Sequence, residues 1–103
     1  MNLLIADDSA EVLDFLQDFL VKAGHAVFCA RDGEEALNFF QNEEIEGIFC
    51  ALTLPKLGGL ELLKEVKSAN SRRPLVMLCP TSDSENALNA VQLGACDYLI
   101  KAI

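Results

Sequence analysis

The chain has 103 residues, and its 8 basic and 16 acidic side chains give a net charge of −8. That length fits one domain, and a hydrophobic fraction of 51% excludes a disordered chain. No apolar run reaches the ~18–20 residues of a membrane span, and the acidic balance excludes a phosphate-backbone binder, which needs clustered Lys and Arg.

Leu3–Ala6 is the first of five short apolar runs, each suited to a strand covered on both faces. Val12, Leu13, Leu16, Phe19 and Leu20 follow as one helical stripe, with Asp8 or Ser9 placed to cap its start and Gly24 to end it. His25, in the turn that follows, reads as a solvated or capping residue. Ala26–Ala30 is the second strand, and a helix over Glu35–Gln41 presents Ala36, Leu37 and Phe40. The run Glu43-Glu44-Ile45-Glu46 reads as a solvated turn before the third strand, Gly47–Ala51. Phe39-Phe40 and Leu60–Leu63 read as core. A third helix over Leu60–Ser68 carries Leu62, Leu63 and Val66, and Leu75–Cys79 is the fourth strand. Asn86–Leu93, closed by Gly94, carries Ala87, Leu88 and Val91 at helical spacing, and Tyr98–Ile100 is the last strand.

Strand and helix alternating in this way predict a single α/β domain over residues 1–103 with an open parallel sheet. Right-handed crossovers place helices on both faces. The chain stops at Ile103, where a doubly wound five-stranded sheet usually continues into a fifth helix. Its absence would leave an apolar strip bare, so the expectation is that either the chain was cut or another subunit supplies the cover. The start Met1–Asp8 lacks a signal peptide's basic flank. Cys29, Cys50, Cys79 and Cys96 have neither zinc spacing nor a secreted disulfide framework. Reduced thiols in a cytoplasmic protein are expected.

Sites in open parallel sheets form outside the carboxyl ends of the strands. Leu4-Ile5-Ala6-Asp7-Asp8-Ser9 resembles the acidic start of a response-regulator receiver domain, the CheY-like family. Leu52–Gly59, with Pro55 and Gly59 in place, resembles that family's loop after the third strand, and Ala95–Lys101 resembles its closing motif. His25 and Asp32-Gly33 also stand at typical family places.

The resemblance implies a flavodoxin-like doubly wound sheet of order 2-1-3-4-5, here without the fifth helix, and a phosphorylation switch in two-component signalling. In the family, an aspartate ending the third strand takes a phosphoryl group from a histidine kinase. An acidic pair holds Mg²⁺, a lysine pairs with the phosphoryl oxygens, and a Ser or Thr after the fourth strand hydrogen-bonds them. Such chemistry needs a carboxylate nucleophile, a hard cation and fixed positive charge. Carried onto this sequence, the acceptor position four residues before Pro55 is Ala51, the hydroxyl position is Cys79, the lysine is Lys101, and Ala102 stands where the family usually has proline.

Ala51 can neither attack phosphorus nor ligate a metal, so no catalytic residue is assigned. Asp7 and Asp8 form at most a vestigial, weak Mg²⁺ site; the favoured alternative has Lys101 neutralise them while Asp8 or Ser9 caps the helix. A cis bond before Ala102 would cost ~2.5–4 kcal/mol, against ~0.5–1 before proline, so a trans Lys101–Ala102 bond is expected. Tyr98, the family's switch aromatic, is expected to hold one position. A redox or mixed-ligand site at Cys79 lacks a histidine, and nearby carboxylates oppose the thiolate.

The resulting reading is a pseudo-receiver, not an enzyme, that acts by phosphorylation-independent protein contact with a histidine kinase, an output domain or a second copy of itself. The family's contact face maps to Asn86, Asn89, Gln92 and Tyr98, and self-association is expected through Tyr98, Ile100 and Ile103. An ordinary phospho-accepting receiver with an engineered Ala51 is the alternative, though one change would leave Cys79 and Ala102 unexplained. A flavin or nucleotide binder would need a Gly/Ser/Thr-rich first loop rather than two carboxylates.

Overall fold

In the computed structural model, residues 1–69, 73–80, 91–92, 94–95 and 97–101 are described. Strands β1 (Asn2–Ala6), β2 (Ala26–Ala30), β3 (Gly47–Ala51), β4 (Leu75–Pro80) and β5 (Asp97–Lys101) alternate with α1 (Ala10–Lys22), α2 (Gly33–Asn42) and α3 (Gly59–Ser68). All four strand pairings are parallel, and the order is β2-β1-β3-β4-β5. The architecture is the flavodoxin-like α/β sheet expected from the sequence.

Side chains alternate along β1 because successive Cβ atoms point to opposite faces. Leu3 and Ile5 pack with Leu13 and Leu20 of α1. Leu4 and Ala6 join Ile48, Cys50, Met77 and Cys79 in the larger core, which α2 covers with Ala36 and Phe40 and α3 with Leu62, Leu63 and Val66.

Each helix boundary has a local cause. The Ser9 hydroxyl accepts the Val12 N–H at 3.4 Å, so Ser9 rather than Asp8 caps α1. At the other end the N–H groups of Gly24 and His25 donate to the carbonyls of Val21 and Leu20, the paired bonds of a Schellman motif, with Gly24 at φ +96°. His25 thus helps to close the helix through its backbone. Helix α2 starts two residues earlier than the apolar spacing indicated, because Asp32 caps it: its Oδ1 accepts the Glu35 N–H at 2.8 Å. Glu35 in turn accepts the Arg31 N–H at 2.9 Å, a variant of the capping box.

Two expectations need correction. Phe19 fits the α1 stripe by spacing but is 64% exposed, beside Phe15 at 52%. Ile45 does not share the solvated turn of its three acidic neighbours: it is fully buried in the core. The acidic residues around it stay in water, and Glu46 accepts the Asn2 N–H that opens β1. Phe40, Leu62 and Leu63 are buried as expected, and Phe39 is half-buried against Phe28, with ring centroids 5.5 Å apart.

Val91 and Gln92 are helical, and Gly94, at φ +112°, donates to Val91. The rest of the predicted fourth helix, including Asn86 and Asn89, lies outside the described residues. So do Cys96, Ala102 and Ile103, and with them the Lys101–Ala102 bond.

Gly33 lets α2 meet the loop after β3: a Cβ there would overlap the Leu57 carbonyl. Gly33→Ala is expected to lower stability by about 2–3 kcal/mol, and Ser9→Ala by about 0.5–1 kcal/mol for the loss of a long cap bond, both read from urea denaturation. The Glu35 N–H, then Lys56, hold the Asp32 carboxyl below its ordinary value of 3.8. A lowered carboxyl contributes stability that is complete above its unfolded value and is lost as pH falls through the folded one. Asp32→Asn keeps a capping oxygen and removes the charge. The stability gap between parent and variant should therefore be present near neutral pH and close on acidification below 3.8.

Candidate functional site

The carboxyl edge of the sheet gathers the ends of β1, β3 and β4. Ala6 pairs with Ala30 on one side and Cys50 on the other, so Asp7 and Ala51 leave the central two strands side by side. β4 continues the row, with Ala51 opposite Leu78 and Cys79 opposite Ile100. This is the switch point of the topology, where chain direction across the sheet reverses and a cleft can open.

The chemistry of the edge is mostly apolar. Asp7 is fully buried. Its backbone N–H donates to the Ala30 carbonyl at 3.1 Å, and its Oδ1 accepts the Ser9 N–H at 2.9 Å. Asp8, the other half of the acidic pair, is exposed. One acid is thus folded into the turn that starts α1, and the other faces water. Ala51 is fully buried within the larger core, as is Cys79. Among the described residues, no group of three or more His, Cys, Asp or Glu side chains could hold a metal ion. Among the described residues of this edge, Asp7 and Asp8 are the carboxylates offered to a cation.

Among the described residues, Cys29, Cys50 and Cys79 are reduced thiols in no disulfide. The Cys50 thiol donates to the Ala51 carbonyl at 3.3 Å. Burial pushes the Cys29 thiol above its ordinary value, and the charges of Asp14 and Glu35 add to the effect. A thiol so placed is a poor nucleophile at neutral pH.

Lys101 and Tyr98 sit on β5 by their backbone, with Lys101 opposite Pro80 and Tyr98 opposite Met77; the positions of their side chains, and of Ile100's, lie outside the described part. The contact of Lys101 with the acidic pair and the fixed position of Tyr98 therefore remain expectations. Gln92, on the expected contact face, is exposed, and Leu99 of β5 is 48% exposed.

One feature of the edge escaped the sequence reading. Lys56, in the loop after β3, lies 3.6 Å from the Oδ2 of Asp32. The Pro55 carbonyl beside it accepts the Gly33 N–H at 3.1 Å. The cap half of this arrangement had a signal in Asp32-Gly33-Glu34-Glu35, an N-cap acid followed three residues later by Glu, whereas no local pattern pointed to Lys56.

Comparison with known proteins gives the edge its context. Residues 3–103 match the family model described as the response regulator receiver domain. The chain is 33% identical over 100 residues to the alkaline phosphatase synthesis transcriptional regulatory protein PhoP of Bacillus subtilis, covering 97% of this chain and 42% of that one. It is 31% identical over 101 residues to the transcriptional regulatory protein DltR of Streptococcus agalactiae, covering 98% and 45%. It spans less than half the length of these relatives. Among solved structures, the receiver domain of the Francisella response regulator 1452 superposes with a TM-score of 0.89 at 29% identity, covering 97% of this chain and 83% of that one. The receiver domain of NtrX from Brucella abortus gives 0.92 at 29% identity, covering 98% and 86%. Sheet order, the acidic turn after β1 and the family match thus agree: the chain belongs to the response regulator receiver domain family of two-component signalling.

Proposed function

We propose that this receiver domain signals without accepting a phosphoryl group at the family's usual place, and that it acts through protein–protein contact with a histidine kinase or an output domain. The observation that carries this reading is Ala51, a methyl group closed into the core at the end of β3. Phosphoryl transfer to a side chain needs an oxygen lone pair aimed at phosphorus and cations to absorb the charge. A methyl offers neither the nucleophile nor a ligand for the cation. Cys79 supports the same reading: a buried thiol donates hydrogen bonds far more weakly than the hydroxyl it replaces.

Without a phosphoryl group, the acidic turn gains no oxygens to complete a Mg²⁺ shell, and Mg²⁺ gives up its waters reluctantly. We propose weak Mg²⁺ binding at Asp7 and Asp8 and a role for Asp7 in shaping the β1–α1 turn through its bond to Ser9. The domain then presents a fixed surface whose partner is selected by shape and charge. Self-association through Tyr98, Ile100 and Ile103 belongs to the same proposal.

Incubating the protein with acetyl phosphate and Mg²⁺ and measuring its intact mass tests the central point. No phosphoryl adduct is expected, and a labile adduct on any acidic side chain would overturn it. Ala51→Asp provides the comparator, since ready uptake by that variant points to an engineered alanine in an otherwise competent site. Mg²⁺ titration by calorimetry should give no saturable heat below the millimolar range; tight, stoichiometric heat would contradict the weak site.

A further inference from the structure

The loop that leaves β3 is bent in an unusual way. Lys56 has φ +68°, and it is the sole non-glycine residue with positive φ among those described. The Leu57 N–H donates back to the Pro55 carbonyl at 2.7 Å, around Lys56. An i to i+2 bond about a residue with positive φ is the rare, strained form of the γ-turn. A lysine in this region persists only where its surroundings over-determine it.

Those surroundings come from the start of α2. The Pro55 carbonyl that closes the turn also accepts the Gly33 N–H, and the missing Cβ of Gly33 leaves room for the Leu57 carbonyl. Asp32 uses its two oxygens in two directions: Oδ1 caps α2 through Glu35, and Oδ2 faces the Lys56 ammonium. The Asp32 side chain is 20% exposed and that of Lys56 59%, so the pair is partly screened but anchored at its acidic end. On the far side of the same loop, the Gly59 N–H donates to the Leu52 carbonyl at the end of β3.

We propose that Asp32 and Lys56 form an electrostatic latch that fixes the strained β3–α3 loop onto the start of α2, so that the carboxyl edge of β3 and helix α2 answer a partner as one body. The inference rests on the phosphorylation-independent reading, because it names what holds that edge without a phosphoryl group. It concerns backbone opening, however, and fails or stands independently of the mass measurement. A partner that contacts the exposed side of α2, at Glu34, Asn38 or Gln41, alters the loop through the latch.

Amide hydrogen exchange by NMR tests it in the whole chain. Asp32→Asn retains a capping oxygen, Lys56→Ala removes the charge but keeps the strained backbone demand, and Lys56→Gly removes both. Exchange at Gly33 and Leu57 should rise about two- to fivefold in Asp32→Asn, as befits loss of a partly exposed ion pair. It should rise further in Lys56→Ala than in Lys56→Gly, which adopts positive φ without penalty. Molar salt should speed these two amides in the parent and leave them unchanged in Asp32→Asn, since the pair alone is screened. Parental rates at Gly33 and Leu57 in Asp32→Asn overturn the latch, and so does a rise shared equally by the core amides of β1 and β3, which would report general destabilisation.

Discussion

The pairing of β1 with β3 is the constraint from which the rest of the structure follows. These two strands lie inside the sheet, so both faces of each must be sealed by apolar side chains, and every backbone group must find its partner within the ladder. Leu3 and Ile5 look toward α1, while Leu4, Ala6, Ile48 and Cys50 look toward α2 and α3. The connections out of β1 and β3 depart toward opposite sides of the sheet, and the edge between Asp7 and Ala51 becomes the place where a receiver keeps its chemistry. Apolar packing along the strands therefore decides where a polar site can stand.

At that edge the balance of terms has moved toward packing. A buried carboxyl is tolerated where hydrogen bonds replace its water, and Asp7 has the Ser9 N–H. A second carboxyl at position 51 would lie in the same closed space, where two like charges raise each other's cost of ionisation unless a cation stands between them. The alanine removes that conflict. It leaves an edge cheap to keep shut, with the strained loop at Lys56 as the element that holds its outer rim.

Most of this was readable from residue order. The short apolar runs mark all five strands to within a residue at each end, since strands buried on both faces are simple apolar blocks bounded by turn residues. The closure of α1 at Gly24 follows from the need for positive φ at that point. What escaped were features that depend on a neighbour distant in sequence. Ile45 sits among three acids and is buried because the turn folds over the core, which local composition cannot express. Phe19 fits a helical stripe by spacing, yet it is exposed, because spacing names a face of the helix and not what covers each position along it. The contact of Lys56 with Asp32 joins two loops separated by β3 and α2, and no local pattern announces it.

The thiols give the domain a built-in record of its own history. Cys50 and Cys79 are sealed from solvent, and burial pushes the Cys29 thiol above its ordinary value, with Asp14 and Glu35 adding to the shift. Peroxide and electrophiles act on the accessible thiolate, so an intact fold withholds Cys50 and Cys79 from both. Oxidative damage at Cys50 or Cys79 then marks molecules that have opened, and its accumulation in a stored or stressed sample counts unfolding events rather than exposure to oxidant.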